Sequence, residues 1–337
     1  MPTPLALSLG DPAGVGPELI GAAWHARQAQ GLAPFMAVGG ARLLQAAAAT
    51  RGIALPVQII TDPAQAADVF PHALPVLGDA DGDYTPGAPS RDGALLALAS
   101  LNHAAALARD GLAGAIVTGP IAKSHLAAVG FAYPGQTECV ADACGVAADD
   151  AVMMLAGPTL RTVPITVHVA LSAVPPMLTS DLILRRAAIT AAALERDFGI
   201  AAPRLAIAAL NPHAGEDGRM GHEDAAIIAP AVERLRAMGI DATGPHPADA
   251  MFAPRSRASF DVAICMYHDQ ALIPLKALDF DNGVNTTLGL PVIRTSPDHG
   301  TAFAIAGRGL ADPGATIAAI RMAGQCAARR AAQKANA

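Results

Sequence analysis

The sequence predicts an α/β protein built on parallel sheet. Short apolar runs alternate with longer alanine-rich, helix-like stretches along all 337 residues. Each apolar run stops at a Gly, Pro, Asn or His loop, and such strand–helix alternation implies parallel strands covered by helices. Length adds a third observation. At about 100–200 residues per domain, the chain has room for two domains or one large α/β unit.

Taken in order, Leu5–Leu9 reads as the first strand, closed by Gly10. The Gly-rich turn Ser8–Glu18 leads into a helix over Pro17–Gln28. Pro17 suits the first helical position and Glu18 complements the helix dipole. Further strands are expected over Phe35–Val38, Ala115–Val117, Thr162–Val169, Leu205–Leu210 and Val262–Met266. Further helices are expected over Ala41–Ala48, Gly93–Ala108, Asp181–Phe198, Glu223–Met238 and Pro313–Lys334. Asp79–Ser90 is rich in turn formers and reads as a surface loop.

Composition excludes several classes. Hydrophobic residues make up 52% and charged ones 15%, which excludes a disordered chain. The 32 Gly and 27 Pro follow no period, which excludes collagen and coiled coil. A net charge of −6 argues against nucleic-acid binding. No run of 18 strictly apolar residues predicts a membrane span, and the first residues lack a charged n-region. Four cysteines form no CxxC pair, so zinc-ribbon and thioredoxin readings fail. The expectation is a reduced, cytoplasmic protein whose cysteines pack rather than react.

Three histidines follow strand-like runs: His168, His213 and His268. Imidazoles at carboxyl ends of strands are placed to converge on one divalent metal, since ligands of open α/β sheets bind at that end. The alternative for each alone is a hydrogen-bonded structural role. His25, His72, His103 and His125 have no acidic or polar company in sequence and read as surface or helix-face residues. Only three lysines occur, and Lys276 shares a polar-punctuated segment with Asn285 and Arg294. Lys and Arg together neutralise a phosphate or carboxylate, Arg by a bidentate fork. Gln136 and Thr137 open a helix-like stretch, either as anion contacts or as an ordinary N-cap.

The motifs GDPAGVGPE, TGPIAK, GQTE, LNPHAGEDGRMG, YHDQALIPLK and NTTLGLPVIRTSPDHGTAF occur in that order. Together they resemble the 4-hydroxythreonine-4-phosphate dehydrogenase family of pyridoxine biosynthesis, related to isopropylmalate and isocitrate dehydrogenases. The resemblance implies a two-domain isocitrate/isopropylmalate dehydrogenase-like fold with an interdomain active-site cleft. It places a nucleotide-side domain at 1–128 plus 297–337, and a metal, substrate and dimerisation domain at 129–296. It implies metal binding by His168, His213 and His268 at a homodimer interface, with the last histidine from the other subunit. It implies substrate contacts from Gln136, Thr137, Lys276, Asn285 and Arg294, and nucleotide-side contacts from His299, Gly300 and Thr301.

The implied reaction is NAD- or NADP-dependent oxidation of 4-phosphooxy-L-threonine, assisted by zinc, magnesium or cobalt. Decarboxylation to 3-amino-2-oxopropyl phosphate follows. Lys276, Asp249 or water takes the hydroxyl proton. Two positions depart from the family pattern: Gln136 stands where His is usual, and Ala304 where Asp is usual. Dehydrogenases of four-carbon sugar-acid phosphates or aromatic cis-dihydrodiols share much of this framework. A non-catalytic phosphometabolite-binding protein and a phosphate acyltransferase are the other readings.

Overall fold

The computed structural model describes residues 3–336. They form two compact units, and the second is inserted in the first: one unit runs to Ala151 and resumes at Leu290, the other spans Val152–Gly289. The first unit opens with β1 (Leu5–Ser8), α1 (Gly16–His25), β2 (Phe35–Val38), α2 (Ala41–Ala49), β3 (Val57–Ile60), α3 (Ala66–Val69) and β4 (Leu74–Leu77). It continues through α4 (Arg91–Arg109), β5 (Ala115–Thr118), α5 (Lys123–Ala127) and α6 (Gln136–Ala143).

The inserted unit holds β6 (Val152–Ala156), β7 (Arg161–Thr166), α7 (Val174–Met177), α8 (Ser180–Phe198), β8 (Leu205–Ala208), α9 (Ala229–Ala237) and β9 (Ala242–His246). It then adds α10 (Ala248–Met251), α11 (Pro254–Arg257), β10 (Val262–Tyr267), α12 (His268–Asp279) and β11 (Val284–Leu288). The chain returns to the first unit with β12 (Arg294–Pro297) and α13 (Gly314–Asn336).

In the first unit the strand order is β3-β4-β2-β1-β5-β12, and every neighbouring pair is parallel. β1, β2, β4 and β5 are buried at all four positions, as expected of parallel strands covered on both faces. The alanine face of α4 (Ala94, Ala97, Leu101, Ala104, Ala105) packs in one core with Ala6, Met36 and Ile116. Small side chains let the helix lie close to the sheet, which accounts for the alanine-rich composition. Burying Leu101 fully contributes about 1.5–3 kcal/mol.

The inserted unit has the order β11-β6-β7-β10-β8-β9. Here the expectation of uniformly parallel sheet needs correction. β6 runs antiparallel to both β7 and β11, whereas β7, β10, β8 and β9 pair in parallel. β6 and β7 are joined by a short turn, a connection open only to antiparallel neighbours. Asp279, at the end of α12, accepts hydrogen bonds from Thr159 N (3.0 Å) and Oγ1 (2.8 Å) and so ties that turn to α12.

The divisions fall at Ala151/Val152 and Gly289/Leu290, not at 128/129 and 296/297. Phe131, Cys139, Val140 and Ala141 share the core of α4, and so do Leu290 and Val292. Apolar packing therefore draws residues 129–151 and 290–296 into the first unit. Cys139 and Cys265 are buried there and in the inserted unit's core. Burial pushes the Cys139 thiol up to about 11 and raises Cys265 further, so both pack as the sequence suggested. Among the described residues no helix is long and apolar enough to cross a membrane.

Candidate active site

The first unit presents a buried cation. Arg294, the first residue of β12, is 4% exposed. Its Nη2 donates to Thr118 Oγ1 at 2.8 Å and to Gln136 Oε1 at 3.1 Å; Nη1 donates to Thr137 Oγ1 at 3.3 Å. These acceptors come from β5 and the first turn of α6. These oxygens orient the guanidinium, the Glu138 carboxylate favours its charge, and a guanidinium fork of this kind suits a carboxylate or phosphate ligand. Burial pushes Arg294 down to about 10, so it stays a cation at neutral pH.

Gln136 is spent on positioning. Besides accepting from Arg294, its Nε2 donates to Gly119 O at 2.9 Å. Thr137 is not the N-cap of α6; Gly135 is, with no side-chain cap.

In the inserted unit, His168 and His268 stand side by side, ring centroids 5.6 Å apart. Strand register brings this about. Thr166 pairs with Tyr267, and Thr166 Oγ1 donates to Met266 O at 2.8 Å. His168 follows two residues after β7 with a left-handed φ of 54°, while His268 opens α12. Asp269 Oδ1 lies 2.7 Å from His268 Nδ1, which holds the ring and leaves Nε2 for a ligand. Both histidines line a pocket of about 300 Å³ with Thr166, Tyr267 and Asp269. Gln270 sutures the strand ends beneath it, accepting from Met266 N at 2.6 Å and donating to Ala209 O at 2.7 Å.

His213 is exposed after β8. It begins six consecutive left-handed residues, His213–Gly218, with φ between 43° and 87°. Left-handed backbone costs roughly 1–2 kcal/mol per residue bearing a Cβ. Asp224 pins the approach to this turn, accepting from Leu210 N (2.7 Å) and from Asn211 N (3.2 Å) and Nδ2 (3.0 Å). Ala214, at φ 54°, gains nothing from its methyl there. Ala214→Gly is therefore expected to stabilise the protein by about 1 kcal/mol, read from the denaturant midpoint. A lowered midpoint would contradict the assignment of strain.

Among the described residues of one chain, no group of three or more His, Cys, Asp or Glu side chains is arranged to hold a metal. The expected trio is thus represented by one close pair, with His213 apart from it. Lys276 is half-buried on α12 and Asp249 is exposed on α10. Asn285 lies on β11, opposite Leu155, and its Oδ1 is buried without a hydrogen-bond partner. In the first unit, His299 Nδ1 lies 3.0 Å from Gly300 O, and Thr301 O accepts from Val15 N at 2.9 Å.

His125 was misjudged from sequence. Far from lacking acidic company, its Nδ1 is 3.6 Å from Asp11 Oδ2. The separation of 114 positions hides the contact from any local pattern, and only the adjacency of the β1 and β5 loops creates it.

Residues 31–323 match the family described as "Pyridoxal phosphate biosynthetic protein PdxA". The chain belongs to the PdxA family. A 4-hydroxythreonine-4-phosphate dehydrogenase from Erythrobacter litoralis is 61% identical over 328 residues, covering 97% of this chain and 98% of the relative. One from Zymomonas mobilis is 52% identical over 334 residues, covering 99% and 98%. The crystal structure of the Klebsiella pneumoniae 4-hydroxythreonine-4-phosphate dehydrogenase matches with a TM-score of 0.84 at 36% identity, over 97% of this chain and 98% of that one. The PdxA fold thus carries Arg294 and its three oxygens in one unit, and the paired histidines in the other.

Proposed function

We propose that this PdxA-family protein is a dehydrogenase that oxidises 4-phosphooxy-L-threonine at its secondary alcohol, with NAD or NADP as acceptor and one divalent cation per site. The observation that carries the reading is the His168–His268 pair backed by Asp269. Two adjacent imidazoles, one oriented by a carboxylate, form a donor set suited to zinc or cobalt, with substrate oxygens adding character suited to magnesium. A simple phosphometabolite-binding protein or an acyltransferase has no need of such a pair. The family resemblance assigns the cation to His168, His213 and His268, with the last from a second copy of the chain. Because His168 and His268 of one chain stand together, these two would hold it with a His213 from the second copy. When bound, the cation supplies Lewis acidity at the substrate hydroxyl.

The chain's own residues do the rest. Arg294, held by Thr118, Gln136 and Thr137, binds an anionic group of the substrate. Asn285 offers a buried, unpartnered Oδ1 to a substrate donor. Lys276 binds a second anionic group or takes the hydroxyl proton, and Asp249 is the alternative acceptor. Hydride leaves the carbinol carbon for the nicotinamide, giving 2-amino-3-oxo-4-phosphooxybutanoate. Its ketone accepts the electron pair of the breaking C–C bond, CO₂ departs, and the resulting enolate takes a proton from solvent at the amino-bearing carbon to give 3-amino-2-oxopropyl phosphate. His299, Gly300 and Thr301 belong to the nucleotide side. Exposed apolar side chains of the inserted unit, Leu171 (68%), Ile273 (65%) and Phe280 (72%), support a homodimer that covers them.

The test is absorbance of the reduced nicotinamide, with protein, cation, coenzyme and 4-phosphooxy-L-threonine together. Reduction that needs all four components is expected. Reduction only with a four-carbon sugar-acid phosphate or a cis-dihydrodiol would overturn the substrate, and none with any of the three would overturn the dehydrogenase reading.

A further inference from the structure

Three loops of the first unit meet at the carboxyl ends of parallel strands: those following β1, β5 and β12. Ligands of open α/β sheets bind outside that edge. Gly10 makes the first contact possible. Its φ is +71°, and a Cβ there would lie 2.5 Å from Pro120 O, so only glycine lets the two backbones close up. Asp11 N then donates to Pro120 O at 2.8 Å, and Val15 N reaches the third loop at Thr301 O, 2.9 Å away.

At this junction lies a polar couple with open valences. Asp11 is 2% exposed. Its Oδ1 accepts from Ala13 N at 3.0 Å, while Oδ2 is buried without a hydrogen-bond partner. Oδ2 faces His125 Nδ1 at 3.6 Å, and that nitrogen is buried and unbonded as well. The His125 side chain is nonetheless 37% exposed, so its accessible edge lies on the Nε2 side. The Phe303 ring stands 5.8 Å from the imidazole, tilted by 40°. A carboxylate beside Nδ1 selects the tautomer protonated there and leaves the Nε2 lone pair facing outward. At 3.6 Å the two atoms lie just beyond hydrogen-bond length, so the carboxylate acts on the ring through its charge.

We propose that His125, oriented by Asp11, binds the nucleoside portion of the nicotinamide coenzyme, Nε2 accepting a hydrogen bond from a ribose hydroxyl or from the carboxamide N–H. An outward acceptor beside an aromatic ring suits a ligand that carries donors on a flat or cyclic body. His125 is then a coenzyme-binding residue and Asp11 a positioning residue. The proposal rests on the dehydrogenase reading above.

The experiment compares Michaelis constants for coenzyme and for substrate in the wild-type protein, His125→Ala, His125→Gln and Asp11→Asn. His125→Ala is expected to raise the coenzyme KM about tenfold, one neutral hydrogen bond's worth, and to leave the substrate KM unchanged. His125→Gln, whose amide oxygen is an acceptor, recovers part of the loss. Asp11→Asn sets a carboxamide N–H against Nδ1, drives the proton to Nε2, and matches the alanine variant although the ring remains. Competition by nicotinamide mononucleotide and by ADP-ribose separates the two donors: weakening of both marks a ribose hydroxyl, weakening of the first alone marks the carboxamide. An unchanged coenzyme KM in His125→Ala overturns the proposal, and so does an equal rise in both constants. A wild-type protein that reduces no coenzyme instead overturns the dehydrogenase reading itself.

Discussion

Arg294→Met is expected to lower kcat/KM for the phosphorylated substrate by a hundredfold to a thousandfold, about 3–4 kcal/mol of transition-state binding. The guanidinium is 4% exposed and fixed by Thr118, Gln136 and Thr137. An anion bound there meets a charge already stripped of water and aimed, so little ordering cost remains. Methionine fills similar volume without charge, and replacing a buried ion by an apolar side chain often leaves folding intact. A thermal unfolding midpoint near the wild-type value would therefore assign the loss to binding. Arg294→Lys should recover only part of the rate. The two terminal nitrogens serve three oxygens in different directions, which a single ammonium cannot reproduce. Activity of the methionine variant within threefold of wild type would remove Arg294 from the site.

His268→Ala should be at least as damaging, with activity falling a thousandfold or more and bound cation lost in parallel, as expected when Lewis acidity disappears. His168→Ala should behave alike, because the two rings form one pair. Asp269→Asn gives a graded comparison. Asp269 holds His268 at 2.7 Å, and loss of such an outer carboxylate typically costs ten- to a hundredfold in metal affinity. Exhaustive chelation of the wild-type protein should abolish turnover, and added zinc, cobalt or magnesium should restore it. Full activity in His268→Ala, or in chelated protein, would remove the metal from the mechanism.

Much of the fold was legible because hydrophobic burial writes itself into the strands it covers. β1, β2, β5, β7, β8 and β10 all coincide with apolar runs. Others escaped notice for identifiable reasons. β12 reads Arg-Thr-Ser-Pro and is buried at every position, because its polar side chains find partners inside; Thr295 Oγ1, for one, donates to Ala319 O at 2.9 Å. β11 reads Val-Asn-Thr-Thr-Leu, β4 contains Pro75, and β3 exposes Gln58 and Ile59. α12 hid behind its internal Pro274. At the candidate site, His168 and His268 were recognisable from their places after strands. The roles of Gln270 and of the Asp11–His125 couple depend on contacts between segments 61 and 114 residues apart, which no periodicity announces.

The insertion of one unit within the other has a consequence for how the protein is made. On the ribosome, β5 is complete long before β12 exists, and the whole of Val152–Gly289 is synthesised between them. At about 5–20 residues per second, that interval lasts roughly ten to thirty seconds. During it the first unit lacks an edge strand and the cover of α13, so the open flank of β5 is a ready template for another nascent chain. The inserted unit is continuous in sequence and has every strand it needs as soon as β11 emerges. The order of maturation therefore runs from the middle of the chain outward, and the half that is begun first is finished last.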